Sequence, residues 1–280
     1  MIRQNHRKHH HVCAHLLVAS ALCITGMISD GNVYAADYQL IPGGSISSVL
    51  SAGRGENLPV RVQSFYLRTL PVTTAEFLAF ADTHPEWQKA NVPSVFADQS
   101  YLSQLSNPPS PVSGSYKNPG VSNIPVTQVS WFAAQAYCES EGARLPSWYE
   151  WEYVAAADET NADARKNPQW LAKILSWYSR PNSSHIAPVG GTANFYGIRD
   201  MHGLIWEWVD DFNALLVSAD SRDQGDPDQL QYCGAGAISL QDRDNYAILM
   251  RIALLSSLNG ADTTSQLGFR CAKNFTQEQP

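Results

Sequence analysis

Prolines and glycines punctuate this chain so densely that long regular elements have little room to form. Sixteen prolines and eighteen glycines are spread over 280 residues. Each proline fixes φ and removes a backbone donor, and each glycine weakens the interior of a helix or strand. What lies between them is short. A chain of this kind buries apolar surface through large side chains, and eight tryptophans supply them. The implied architecture is an irregular mixture of short helices and strands held by aromatic packing. No internal repeat or low-complexity tract is visible.

The first 35 residues read as a targeting segment. Arg3, Arg7 and Lys8 precede an apolar run, Val12 to Ile28, and small residues Val33 and Ala35 stand where a signal peptidase cuts. A retained anchor is the rival reading, but the run is short for a bilayer and contains His15. The expectation is therefore a cleaved signal peptide (1–35) and one domain (36–280), periplasmic or secreted. Removing three cations and Asp30 takes the formal net charge from −7 to −9. An acidic chain with scattered Lys and Arg is a poor fit to nucleic acid. No second apolar run suits a membrane span, so the expected partner is a periplasmic protein or peptide-like substrate. Cys138, Cys233 and Cys271 remain after cleavage, which implies one disulfide and one free thiol in an oxidising compartment.

Local patterns place short elements. Val60 to Arg68 alternates as one half-buried strand. Thr73 or Thr74 can cap a helix carrying Phe77 and Phe80. Residues 88–124 read as a long, ordered loop. Trp131 to Glu139 reads as a helix ended near Gly142, and Ser147 with Glu150 has capping-box spacing before a helix through Ala157. Residues 158–180 are polar, with Trp170, Ile174 and Trp177 at helical spacing. The final third reads as short strands and turns.

Six segments then occur in one order: IPGGSI (41–46), PVTTAEFLAF (71–80), PVTQVSWFAAQAYC (125–138), RLPSWYEWEY (144–153), NFYGIRDMHGLIWEWVDD (194–211) and LGFRC (267–271). This order resembles the formylglycine-generating enzyme family, also called the sulfatase-modifying factor family, over nearly the whole mature chain. The resemblance implies a single irregular α+β domain of low regular secondary-structure content, related to C-type lectin folds. Family members that oxidise a sulfatase cysteine hold copper(I) on two cysteines five residues apart, and soft thiolates suit that ion. Counting back without gaps from Cys271, those places hold Asp242 and Ala247, so the resemblance implies the fold without that reaction. The same alignment puts Cys138 and Cys271 on a family disulfide. Chain entropy makes closing so long a loop worth roughly 4–5 kcal/mol. A second family disulfide is absent at both ends, where Ala156 or Ala157 and Ile252 stand.

The function implied is that of an exported maturation or accessory factor of a periplasmic redox system. Similar exported members mature a pyoverdine siderophore or accompany copper nitrite reductases, and Phe212 to Asp228 resembles the second group. If the chain is an enzyme, the resemblance implies an oxidoreductase. A non-catalytic, lectin-like binding module is the other class left open.

Candidate catalytic residues are Asp242, Tyr246, Cys233, Arg251 and Glu207. Asp242, Arg243, Asp244 and Tyr246 lie together and read either as a site of acids with a phenol donor or as a solvated turn. Cys233 is a possible copper ligand or redox thiol, or a small buried hydrophobe. Glu207, between Trp206 and Trp208, reads as a raised-pKa acid or as a structural hydrogen-bonding group; alternation puts the two indoles on one face and Glu207 on the other. His202 is one of three mature-chain histidines, with His84 and His185; a three-histidine iron or copper site would need all of them, and the H-x-x-x-H-x-E spacing of related iron-dependent sulfoxide synthases is absent. Asn194 and Asp200 are the candidate calcium ligands that the resemblance implies. Arg144 and Arg270 are expected to pair with Glu150, Glu152 or Glu207. Calcium, copper and iron are thus the cofactors in question.

Overall fold

The computed structural model describes residues 37–48, 59–105, 123–179, 186–215 and 246–276, together with Met1 and Leu50. Ala36–Pro280 forms one compact unit. The strands are β1 (Tyr38–Ile41), β2 (Gly44–Ile46), β3 (Val60–Val62), β4 (Phe65–Arg68), β5 (Trp206–Glu207), β6 (Leu267–Gly268) and β7 (Ala272–Asn274). The α-helices are α1 (Thr74–Thr83), α2 (Trp131–Ser140), α3 (Trp148–Ala155), α4 (Pro168–Tyr178) and α5 (Tyr246–Ser256). No helix among the described residues is long and apolar enough to cross a membrane.

One antiparallel sheet has the order β1-β4-β7, and β2 pairs with β3 in a second. The alternating stretch from Val60 to Arg68 is therefore two strands, not one. The break falls at Gln63–Ser64, opposite Pro42–Gly43. Gly43 donates its backbone N–H to Ser64 Oγ at 2.9 Å. A Cβ on Gly43 would lie 2.9 Å from both Ser64 N and Val62 O, so glycine permits the close approach at which the ribbon turns from one sheet to the other. The inward side passes from Val62 to Phe65 and Leu67 across the corner, a one-residue slip in the alternation that the apolar Tyr66 blurs in the sequence.

The helix starts follow capping chemistry. Thr73 Oγ1 accepts from Glu76 N at 3.3 Å, and Glu76 Oε2 accepts from Thr73 N at 2.8 Å. Ser147 and Glu150 reciprocate in the same way at α3. Helix α3 stops at Ala155, two residues before the expected end. Helix α4 is capped by Asn167, with Pro168 at its first position. The described parts of the 88–124 region, 88–105 and 123–124, include tight turns and a 3-10 helix at Ser103–Leu105, with Tyr101 and Leu102 buried.

Helix α5 corrects the expectation of strands and turns in the last third. Ile248, Ile252 and Leu255 are buried at i, i+4 and i+7. Arg251, at i+3, lies in the same buried stripe, and its charge masks the helical period in the sequence.

The core is aromatic, as the composition requires. Phe77, Phe80, Tyr137 and Phe269 pack ring against ring. Trp148, Trp151 and Trp208 are fully buried, and each indole N–H has an acceptor: Glu152, Glu207 and the Val129 carbonyl respectively. Beside this cluster, Cys138 of α2 is bonded to Cys271 before β7, with a Cα separation of 5.5 Å. The bond ties the central helix to the main sheet.

Candidate functional site

Three sequence segments meet behind α3. The parallel pairing of Trp206 with Leu267 and Glu207 with Gly268 brings Glu207 beside Arg270. That pairing needs Gly268, because a Cβ there would sit 2.2 Å from the Val126 carbonyl oxygen. Arg270 Nη2 donates to Glu207 Oε1 at 2.7 Å, and Nε lies 2.9 Å from Oε2. Trp151 Nε1 donates to Oε2 at 2.8 Å. The remaining Arg270 donors reach the carbonyls of Arg68, Thr69 and Arg199. Both charged side chains are essentially inaccessible. Glu207 is thus an internal fastener, and neither carboxylate oxygen is left open to a substrate.

Alternation along this short strand does not give Glu207 an exposed face. Glu207 and Trp208 are both buried, and Trp206 is half-buried against Trp177 and Tyr178. A strand of two residues that is covered on both sides has no solvent face to assign.

Arg251 enters the same place from α5. Its guanidinium carbon stands 3.6 Å from the Trp151 ring centroid, an arrangement favoured by the ring quadrupole. Nη2 donates to the Glu207 backbone carbonyl, while Nε is buried without a partner. No carboxylate pairs with Arg251 among the described residues. Burial pushes its pKa down to about 10, with the charge of Arg270 acting in the same direction against the pull of Glu207.

His202 closes the group. Its Nε2 lies 2.8 Å from the Ala155 carbonyl oxygen. A carbonyl only accepts, so Nε2 carries the proton and Nδ1 presents a lone pair in the neutral ring. That Nδ1 is buried and unpartnered. The ring stands edge-on to Trp151 and to Trp170, each at 5.7 Å. Desolvation drives its pKa down to about 4.

The structure therefore brings Glu207 and Arg251 together and adds Arg270, Trp151 and His202. Cys233 and Asp242 lie outside the described residues, and so does the side chain of Tyr246 at the start of α5. Ala247, matched by the resemblance to a copper thiolate, is a buried alanine on α5. A methyl group donates nothing to a metal, so paired-thiolate copper does not fit this position. Asn194 Oδ1 accepts from the backbone N–H groups of Tyr196 and Ile198, both at 3.0 Å. The Asp200 carboxylate accepts from those of Gly190 and Gly191 at 2.7 and 3.0 Å. These two residues build turns here; they do not form an open set of oxygens for calcium. The described residues contain no group of three His, Cys, Asp or Glu placed to hold a metal. The clue to the buried site was a cation inside the apolar run ILMRIALL, which in a helix must be stacked or hydrogen-bonded.

Sequence comparison agrees with the motif order. The Sulfatase-modifying factor enzyme 1-like domain matches residues 28–275, and the chain belongs to that family. It is 31% identical to a formylglycine-generating enzyme of Streptomyces coelicolor over 182 residues, covering 55% of this chain and 54% of that protein. It is 32% identical to the hercynine oxygenase of Mycolicibacterium smegmatis over 166 residues, covering 54% of this chain and 38% of the relative. A serine/threonine-protein kinase pkn1 of Chlamydia pneumoniae is 27% identical over 245 residues, covering 84% of this chain and 38% of the kinase. The chain thus spans between about a third and about half of the length of these relatives. Among solved structures, PvdO from Pseudomonas aeruginosa aligns at a TM-score of 0.42 and 15% identity, over 85% of this chain and 94% of that one. CarF aligns at 0.42 and 16%, over 86% and 99%.

Proposed function

We propose that this chain is an exported accessory factor of a redox system, acting on a protein or peptide-like partner without the paired-thiolate copper chemistry of formylglycine generation. The observation that carries this reading is Ala247, buried on α5 where the family resemblance places a thiolate. Membership beside a formylglycine-generating enzyme and a hercynine oxygenase supports an oxidative setting. The N-terminal segment supports export. Any copper or iron chemistry would fall to Cys233 and Asp242.

A second reading, a non-catalytic binding module, is favoured by a different observation. Glu207 is saturated with N–H donors, and Arg251 is fully buried, so neither meets a substrate directly.

Metal analysis of the protein purified from the exported fraction, followed by Cys233→Ser and Asp242→Asn, separates the two. Stoichiometric copper or iron, lost on substitution, supports the redox factor. Metal-free protein that still captures its partner supports the module. Conversion of a sulfatase-derived cysteine peptide to formylglycine, read by mass spectrometry, would overturn both.

A further inference from the structure

A cleft of ≈ 270 Å³ opens between α4 and the turns around 158–159 and 191–203. It is separate from the Glu207–Arg270 pair and is compatible with a redox factor and with a binding module alike. We propose that this cleft binds a protonated amine or guanidinium bearing N–H donors, on a free small molecule or at the end of a partner's basic side chain.

Three features of the lining carry the proposal. First, Trp170 and Trp177 both line the cleft from α4, two helical turns apart and so on one face. Indole faces attract cations. Second, the lining holds three carboxylates, Asp158, Glu159 and Asp200, against one ammonium, Lys173. Asp158 and Asp200 act through their field, since their oxygens already accept from Thr160 and Asn161 and from Gly190 and Gly191. Arg199, outside the lining, donates to the Gly191 carbonyl and leaves the sign of the cleft unchanged. Glu159 holds Lys173 Nζ at 2.8 Å through side chains 45% and 68% exposed. The cleft therefore already seats one ammonium, on a loose tether that an incoming cation can displace. Third, His202 lines the cleft as a neutral ring, its pKa held down to about 4 by burial, and so adds no cation to the lining. A cation suits all three features, and an anion suits none of them. The volume is below the usual range of drug-sized pockets, roughly 300–1,000 Å³, and suits a group the size of a side chain.

The test is titration of the exported protein, followed by tryptophan fluorescence and calorimetry, with three probes. These are agmatine, a blocked neutral peptide carrying one arginine, and the same peptide with citrulline. Agmatine or the arginine peptide is expected to saturate, and citrulline to bind about tenfold more weakly or worse. Saturation by agmatine alone assigns a small amine, and saturation by the peptide assigns a partner's side chain. Glu159→Lys should weaken binding by about tenfold, and Lys173→Gln should tighten it roughly two- to threefold, both at unchanged Tm. The proposal is overturned if neither cation saturates at millimolar concentration, if citrulline binds equally well, or if Glu159→Lys binds like the parent.

Discussion

Two buried arginine clusters in this molecule use the same side chains in opposite proportion. Around Arg68, one guanidinium is shared between Glu76 and Glu141, with Tyr137 also accepting from it at 3.0 Å. The carboxylates sit at the edge, with side chains 26% and 23% exposed. Burial lowers the pKa of Arg68, but Glu76, Tyr137 and Glu141 outweigh it and raise the value overall. Around Glu207 the proportion is reversed, with two guanidiniums, Arg270 and Arg251, beside one carboxylate, all inaccessible. The first cluster gives a cation more anion than it needs and leaves water to absorb the remainder. The second keeps an excess cation in the dry interior on an indole face and a carbonyl. Stability at the second cluster should therefore hinge on its single anion, whereas the first should tolerate losses.

The largest expected effect tests that asymmetry directly. Glu207→Gln leaves two buried guanidiniums without a counter-charge, and breaking a buried pair on one side costs about 3–5 kcal/mol. Urea unfolding should show a midpoint shift of that size at unchanged slope. A loss below about 1 kcal/mol would mean that the charge balance comes from elsewhere and that the contrast with Arg68 is false.

Next in size is an acid-induced loss through His202, which borders the second cluster. Its folded-state pKa is depressed from 6.5 to about 4, by burial first and by Arg251 and Arg270, with Glu207 and the Ala155 hydrogen bond opposing. Between those values the unfolded chain binds a proton that the folded chain refuses. The sign is therefore full stability above pH 6.5 and progressive loss toward pH 4, about 3 kcal/mol at most. His202→Phe should flatten this slope in pH-resolved denaturation. An unchanged slope would assign the acid sensitivity to other groups.

Arg68→Met is expected to cost less, about 1–2 kcal/mol, because Glu76 and Glu141 can turn to water when their partner goes. A Tm loss matching that of Glu207→Gln would erase the distinction between the clusters.

How much of this was legible in the sequence depended on the range of the interaction. Capping boxes are local, so Thr73 with Glu76 and Ser147 with Glu150 could be read from spacing. Arg144 with Glu150 spans six residues and could be anticipated as a choice among acids, as could Arg270 with Glu207. The corner at Ser64 was marked only by a one-residue slip in the alternation, from Val62 to Phe65 and Leu67, which the apolar Tyr66 blurs. Helix α5 was missed because Arg251 breaks the very stripe it belongs to. His202 carried no spacing signal at all; its unpartnered nitrogen results from where Ala155 and Trp170 arrive in space. The copper question could be read one position at a time, and Ala247 is the position the structure describes.

The smallest effect is the most diagnostic. Arg251→Met removes the excess cation and replaces its stem with apolar volume over Trp151. The guanidinium now contributes one hydrogen bond and a stacking contact against a buried, unpartnered Nε. Replacement of buried charges by hydrophobic groups of similar volume is often neutral or stabilising, so the expected change is within about 1 kcal/mol of zero. Its informative use is in combination. With Arg251 gone, Glu207→Gln strands one guanidinium instead of two, so the double variant should be less damaged than the sum of the singles, by about 1–2 kcal/mol. Strict additivity in that double-mutant cycle would show that Arg251 and Glu207 do not share one charge balance. Arg251 would then be a packing residue that happens to carry a charge.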